Sequence, residues 1–440
     1  MNCTRIPGGP TGLALFFTVF VPFALAHFLS LLLRNANAVL APFLVGSLAL
    51  DAGQLGMLTS AFFLAVVLAQ LPVGAAIDRH GSRKALLVLL LIAAGGTLLF
   101  ARGESFFELM LARSLMGFGV GGTLLAGVKG IAPWMPPAKL PSLHGYLIAA
   151  GGLGAATATL PVRLVLDYTD WRGLFVLLAA LTALAAMLIW FGTPRHQHRR
   201  PAPAQPLLPS LLAVLRHPKF RGVTALVLVS HTIFLGLQGL WVGRWLTDIG
   251  QLSESAVAYL LYLTMAAVIF GAIGVGFVTE WAGRRGVTPL DVGACGVGLF
   301  VLIQVAMAVG YVPSFPLLAV LFALVGTITG IEYTIVAQSM PPELGSRASA
   351  CLNMLIFLGA CLVQGGFGQV IALWPPDAAG HYPAPAYSTG FAILVVLQLP
   401  CLAWYAWQAW ARTRPRVAQE TLAEAVLPLD VHPVRVAARG

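Results

Sequence analysis

Gly74-Ala75-Ala76-Ile77-Asp78-Arg79-His80-Gly81-Ser82-Arg83-Lys84 and Gly276-Phe277-Val278-Thr279-Glu280-Trp281-Ala282-Gly283-Arg284-Arg285 share one spacing. In both, an acid stands four residues after a glycine, a second glycine follows three residues later, and basic residues close the motif. Each copy follows an apolar run of roughly 20 residues, enough to cross a hydrocarbon core about 30 Å thick as a helix. A second pair of landmarks repeats the pattern, Met135-Pro136-Pro137 and Met340-Pro341-Pro342. The offsets are nearly equal, 202 residues from Gly74 to Gly276 and 205 from Met135 to Met340. Two matched landmarks in corresponding loops read as duplicated halves, and parallel halves related by an axis along the membrane normal are a known membrane architecture.

Composition makes lipid the solvent for most of this sequence. Of 440 residues, 58% are hydrophobic and 10% charged, with a mean hydropathy of +0.86. Soluble domains carry about 25% charged residues, so a water-soluble chain of this size could not cover its surface. The five cysteines (Cys3, Cys295, Cys351, Cys361, Cys401) form no CxxC and no metal-ligand spacing, which predicts no disulfide, no zinc site and no cofactor. Arg5, the apolar run from Leu13 and Ala24-Leu25-Ala26 imitate a signal peptide. The run continues to Leu33, however, and an uncleaved first helix is expected.

Windows of membrane length predict twelve spans, near 12–36, 52–73, 85–101, 106–129, 142–164 and 172–192, then 220–243, 254–276, 288–310, 316–338, 347–372 and 389–411. Trp171, Trp190, Trp245, Trp281, Trp374, Trp407 and Trp410 fall near proposed ends, as interfacial belts require. All but six of the 26 Lys and Arg then lie on one side, the exceptions being Arg34, Arg102, Arg113, Arg163, Arg172 and Arg244. By the positive-inside rule that side is the cytoplasm, and both termini belong there. The formal charge of +10 therefore reports topology in an inner membrane, not nucleic-acid binding. The expected organisation is a six-helix half over 1–192, a cytoplasmic linker over 193–219 with a surface helix near Leu207–Leu215, a second half over 220–411, and a tail over 412–440.

The first motif resembles the signature loop between helices 2 and 3 of the major facilitator superfamily, G-x-x-x-D-R-x-G-x-R-K. Arg113-Ser114-Leu115-Met116-Gly117-Phe118-Gly119 is similar to the family's R-x-x-x-G-x-G run in helix 4, and Asp170-Trp171-Arg172-Gly173 resembles its usual entry to helix 6. The resemblance implies an all-α fold of twelve transmembrane helices in two six-helix halves. It also implies that the signature loop latches the cytoplasmic side, which assigns Gly74, Asp78, Arg79, Gly81 and Arg83 to gating. Glu280 and Arg284 would form a weaker second latch, with Trp281 standing where Arg79 does in the first copy. Gly74, lacking a side chain, is expected to let two helices approach closely. The helix 5 motif of the family's drug/proton antiporters is incomplete here: Gly145 and Gly154 are present, but Ala158-Thr159 replaces Gly-Pro.

In that family helices 1, 4, 7 and 10 line a central cavity, and each offers polar candidates here. His27, Ser30, Arg34 and Asn37 fall on one face of span 1 at 100° per residue. Arg113 leads span 4; His231, Phe234, Gln238, Trp241 and Trp245 stripe span 7; Glu332 and Tyr333 lie in span 10. Ionisable groups at membrane depth face cavities or partners, so Glu332 is expected to serve function or to pair with Arg113 or Arg34 rather than face lipid. Each group also has a plainer role open to it. Arg34 could snorkel to headgroups, Arg113 could bind backbone carbonyls, and the histidines could be packing residues.

The run Arg34-Asn35-Ala36-Asn37-Ala38-Val39-Leu40-Ala41-Pro42 is similar to the end of helix 1 in organophosphate antiporters. There an arginine holds the anion by forked hydrogen bonds. No second intramembrane arginine matches theirs in helix 7, so a singly charged organic anion is the expected cargo. A monomeric secondary active transporter follows, driven by protons or by exchange, with efflux of amphipathic drugs as the alternative. No paired catalytic carboxylates, nucleophile elbow or phosphate loop suggests an enzyme.

Overall fold

Apolar length fixes where helices run in this chain, and short polar residues fix where they begin. The computed structural model describes residues 12–135, 139–194 and 207–413. Arg5, Cys3, most of the Pro194–Pro201 cluster, Pro136-Pro137 of the first Met-Pro-Pro landmark and the tail from Arg414 lie outside the described residues. In the N-terminal part, a turn at Gly12–Leu15 and a π-helical Phe16–Phe20 lead into α1 (Val21–Asn35). There follow α2 (Asn37–Leu48), α3 (Ala52–His80), α4 (Ser82–Arg102), α5 (Phe106–Val120) and α6 (Thr123–Ile131). The part ends with α7 (Leu140–Thr157), α8 (Leu160–Val165) and α9 (Trp171–Gly192). The C-terminal part comprises α10 (Leu207–Arg216), α11 (Pro218–Gln238), α12 (Trp241–Asp248), α13 (Glu254–Gly283) and α14 (Pro289–Val309). It closes with α15 (Phe315–Gly326), α16 (Ile331–Ser339), α17 (Pro342–Ile371) and α18 (Ala384–Thr413).

The described residues contain no strand, as lipid demands of segments that must satisfy every backbone group internally. Caps start the long helices. Asp51 and Gln54 form a capping box on α3, Asp170 accepts from Gly173 N–H on α9, and Thr288 with Asp291 boxes α14. Each such cap is worth about 1 kcal/mol. Gly81, at φ +82°, makes the tight turn from α3 to α4, a conformation that a Cβ would strain.

Among the described residues, eleven stretches are long and apolar enough to cross a membrane. The other expected span, 142–164, lies over α7 and α8, which are broken at Ala158-Thr159. Interruptions recur elsewhere. α1 gives way to α2 at Ala36, α5 to α6 at Gly121-Gly122, α11 to α12 at Gly239-Leu240, and a 3₁₀ turn at Thr327–Gly330 separates α15 from α16. Discontinuous helices free backbone groups only where protein or a cavity can receive them.

The expected surface helix in the linker exists as α10, but Val214 is fully buried with Phe220, Cys351 and Leu352, so it packs on α11 and α17. The tryptophan belt also needs correction. Trp245 is buried and stacks on Phe315 at 3.8 Å between ring centroids, because α12 turns inward after the break at Leu240.

Candidate functional site

The interrupted helices surround a cavity of about 430 Å³ between the two parts of the chain. α1 contributes His27, Ser30 and Arg34; α3 contributes Phe62 and Phe63; α5 and α6 contribute Val120, Thr123 and Leu124. Across from them stand His231, Phe234 and Gln238 of α11, Tyr333 of α16, and Asn353 and Phe357 of α17. Of the expected site residues, His27, Arg34, His231, Gln238 and Tyr333 border this space.

Arg34 is half-buried and carries the only guanidinium or ammonium on the described lining, which contains no Asp or Glu. Its place on the lining sets it beside the cavity. Tyr333 also borders the cavity. A cation without a facing carboxylate attracts an anion by about 4 kcal/mol at 4 Å, for an effective dielectric of about 20.

His27 sits about two helical turns before Arg34 on α1. Thr123 donates its hydroxyl to the Val120 carbonyl at 3.1 Å, so the His27 Nδ1–H must donate to Thr123 Oγ1, at 3.2 Å. A neutral His27 therefore keeps Nε2 as an acceptor.

On the opposite wall, His231 Nδ1 hydrogen-bonds Glu332 Oε1 at 2.7 Å. Glu332 is fully buried behind His231, and its Oε2 has no partner among the described residues. The expected pairing of Glu332 with Arg113 or Arg34 is therefore corrected: histidine is the partner, because α16 faces α11 rather than α1. With one proton between them the pair is neutral overall; a second makes it cationic, and loss of the first makes it anionic. Tyr333 turns back to donate its hydroxyl to Asn353 Oδ1 at 2.8 Å.

Four expected residues do not border the cavity, Glu332 among them. Asn37 lies beyond the turn at Ala36, which ends the stripe begun by His27, and donates to Thr59 Oγ1 at 2.8 Å. Arg113 is fully buried, donates to the Leu33 carbonyl at 2.9 Å and lies 5.1 Å from the Phe62 ring, so it is a backbone anchor for α1. Trp241 follows the break in α11 and donates to the Gln364 carbonyl at 3.0 Å, packed where Gly56 of α3 meets Gly368 of α17.

That contact closes one end of the cavity. Ser60 donates to the Cys361 carbonyl, the Ala52 N–H donates to Tyr382 Oη, Phe63 meets Phe357, and Arg163 pairs with Glu254. All of these join the two parts at the end away from the Gly74–Lys84 loop. Close by, buried Asp248 accepts from Arg244, Tyr387 and His381, at 3.1, 2.6 and 3.1 Å. Arg244 is thus neutralised and unavailable to the cavity.

At the opposite end, Asp78 pairs with Lys129 of α6 and Arg83 donates to the Trp190 carbonyl. Arg79 is exposed. Gly74 is not a close-contact point, since a Cβ there would meet only Leu125, at 4.0 Å. The close approaches belong to Gly117 and Gly119, where a Cβ would fall 2.3 Å from the Phe62 carbonyl and 2.4 Å from that of Leu89. In the second copy Glu280 pairs with Arg284 on its own helix and Arg285 stacks on Trp281. Every one of these contacts stays within one part of the chain.

Sequence reasoning missed Phe62, Phe63, Phe357 and Asn353, all on helices outside the four expected to line the site. Asn353 alone carried a signal, a polar side chain in an apolar run. It also missed the buried glutamine pair Gln304 and Gln398, which with Ser230 ties α11, α14 and α18 together.

A family model described as Major Facilitator Superfamily matches residues 23–364. The hexuronate transporter of Bacillus subtilis (strain 168) is 24% identical over 59% of this chain, and the match spans 64% of that relative, under two thirds of its length. The cis,cis-muconate transport protein of Acinetobacter baylyi is 24% identical over 78% of this chain and 85% of its own. Among solved structures, an inward-facing, unoccupied bacterial homologue of the human lysosomal transporter Spinster superposes with a TM-score of 0.74 at 17% identity, covering 90% of this chain and 97% of that one.

Proposed function

Because the chain belongs to the Major Facilitator Superfamily, we propose that it is a secondary active transporter carrying a singly charged organic anion by alternating access. Membership and the transporter neighbours point to a multi-pass membrane protein that moves solutes rather than an enzyme. The observation that carries the reading is Arg34, a cation on a cavity wall with no acid on the described lining. The names of the relatives, a hexuronate and a muconate transporter, agree with an anionic cargo.

In this reading the chain has twelve spans in two halves, 1–192 and 220–411, with both termini cytoplasmic in an inner membrane. The contacts around Trp241 close the outer side, and the Gly74–Lys84 loop lies at the cytoplasmic mouth. Asp78 leaves Lys129 and Glu280 leaves Arg284 when that mouth closes, so both loops latch the outward-facing state. The His231–Glu332 pair takes up a proton with the cargo and releases it after the cavity turns over, which couples flux to a pH gradient.

Uptake into liposomes by the purified protein tests this, scanning carboxylates, sugar phosphates and cationic dyes with and without a pH gradient. Saturable carboxylate flux, abolished by Arg34→Ala and uncoupled from the pH gradient by Glu332→Gln, is expected. Dye flux indifferent to Arg34→Ala would overturn the anion reading in favour of efflux.

A further inference from the structure

We propose that the cargo is a monocarboxylate with an apolar, ring-sized body, held head-first on Arg34 with its body against the phenylalanines of both halves. The inference rests on the anion-transport reading above and narrows it.

Charge sets the head. A single guanidinium borders the cavity on its described lining, and the other two buried arginines stand off it. Arg113 lies 5.1 Å from the Phe62 ring with one donor on the Leu33 carbonyl and its Nε and Nη2 unpaired among the described residues, and Arg244 is locked to Asp248. A second carboxylate on the cargo would lie in a low-dielectric space without a counter-charge, and burying an unpaired ion is strongly unfavourable.

The walls set the body. Phe62 and Phe63 approach from α3, Phe234 from α11 and Phe357 from α17, with Phe63 and Phe357 rings 5.8 Å apart across the two parts. Aliphatic side chains such as Val66, Leu235 and Ile356 and four glycines make up more than half of the remaining wall.

Several donors on the lining are spent on the protein itself, which leaves His27 Nε2 and Gln238 Oε1 as acceptors. Ser30 and Thr123 donate to the Val120 carbonyl, Asn35 donates to the Leu31 carbonyl, Gln238 donates to Thr264, and Tyr333 donates to Asn353. A sugar acid presents several hydroxyls, each needing a partner, and an unpaired buried hydroxyl weakens binding. A ring or short hydrocarbon needs none. The volume, about 430 Å³, lies toward the small end of the roughly 300–1,000 Å³ range of small-molecule sites. The site therefore favours compact cargo with one charge and few hydroxyls, unlike the hexuronate in the name of one relative.

Titration calorimetry on the full-length protein in detergent distinguishes the possibilities, with phenylacetate, phenylacetamide, glucuronate and succinate as probes. Phenylacetate is expected to bind, with glucuronate and succinate weaker by at least about tenfold and the neutral phenylacetamide not binding. Arg34→Ala should abolish phenylacetate binding while Arg34→Lys retains part of it. Phe357→Ala, which removes one wall, should weaken phenylacetate about tenfold. Glucuronate or succinate binding more tightly than phenylacetate, and still requiring Arg34, overturns this inference and leaves the anion reading standing. Phenylacetamide binding as well as phenylacetate, or binding of any probe unaffected by Arg34→Ala, overturns both.

Discussion

Asp248 offers a quantitative test of how this fold is held shut at one end. Its carboxylate is fully buried and accepts from the Arg244 guanidinium, the Tyr387 hydroxyl and the His381 ring. Arg244 also donates to the Gly380 carbonyl at 3.1 Å, so the pair fastens the loop before α18 onto α12. Asp248→Ala leaves the Arg244 charge buried without its counter-ion, a loss of about 3–5 kcal/mol. The orphaned Tyr387 hydroxyl adds about 1 kcal/mol. Replacing both partners with apolar residues, Arg244→Met with Asp248→Leu, removes the two charges together and should cost less than either single change. Reversible unfolding in mixed detergent micelles measures all three variants. A single change costing under about 1 kcal/mol, or a double variant costing more than either single change, would refute the reasoning.

Other consequences can be checked separately. Gly117→Val drives a side chain into the Phe62 carbonyl, which lies 2.3 Å from the Cβ position. It should destabilise the fold by at least about 1–3 kcal/mol, seen as a lower thermal midpoint. The exposed Glu280–Arg284 pair contributes little, so Glu280→Gln should leave the midpoint unchanged, whereas Asp78→Asn should slow uptake if the first loop latches. In the loop after α17, the His381 N–H, before other causes, holds the Asp377 carboxyl below the usual carboxylate range. A depressed value means the carboxylate stabilises the loop above its unfolded pKa of about 3.9, and the contribution is lost only as pH falls through the depressed value. Hydrogen exchange at Ala379 and His381 should therefore stay slow down to that acid range and quicken below it.

Much of the fold was legible because lipid writes a strong signal. Apolar runs of membrane length, paired basic loops and the Asp170-Trp171-Arg172-Gly173 entry motif put the helices nearly where they lie. The breaks were harder to read. Ala36 carries no breaker, whereas Pro161, whose missing N–H cannot bond the Thr157 carbonyl, and Gly239 mark the breaks at Ala158-Thr159 and Leu240. Those breaks decided the site. A helical stripe predicts a shared face only while the helix lasts, so His27, Ser30 and Arg34 came together while Asn37 did not. The same rule kept His231 and Gln238 at the cavity and sent Trp241 and Trp245 elsewhere. Apart from Phe234, the aromatic walls were invisible for another reason: phenylalanine in an apolar span is ordinary, and only the packing shows which ones face a void.

The central claim is that Arg34 receives an anion within the cavity, and exchange of labelled phenylacetate across liposomes tests it most directly. Parent protein should exchange the label saturably, Arg34→Lys should retain a fraction, and Arg34→Ala should fall to the rate of protein-free vesicles. Exchange by Arg34→Ala at the parent rate would contradict the account.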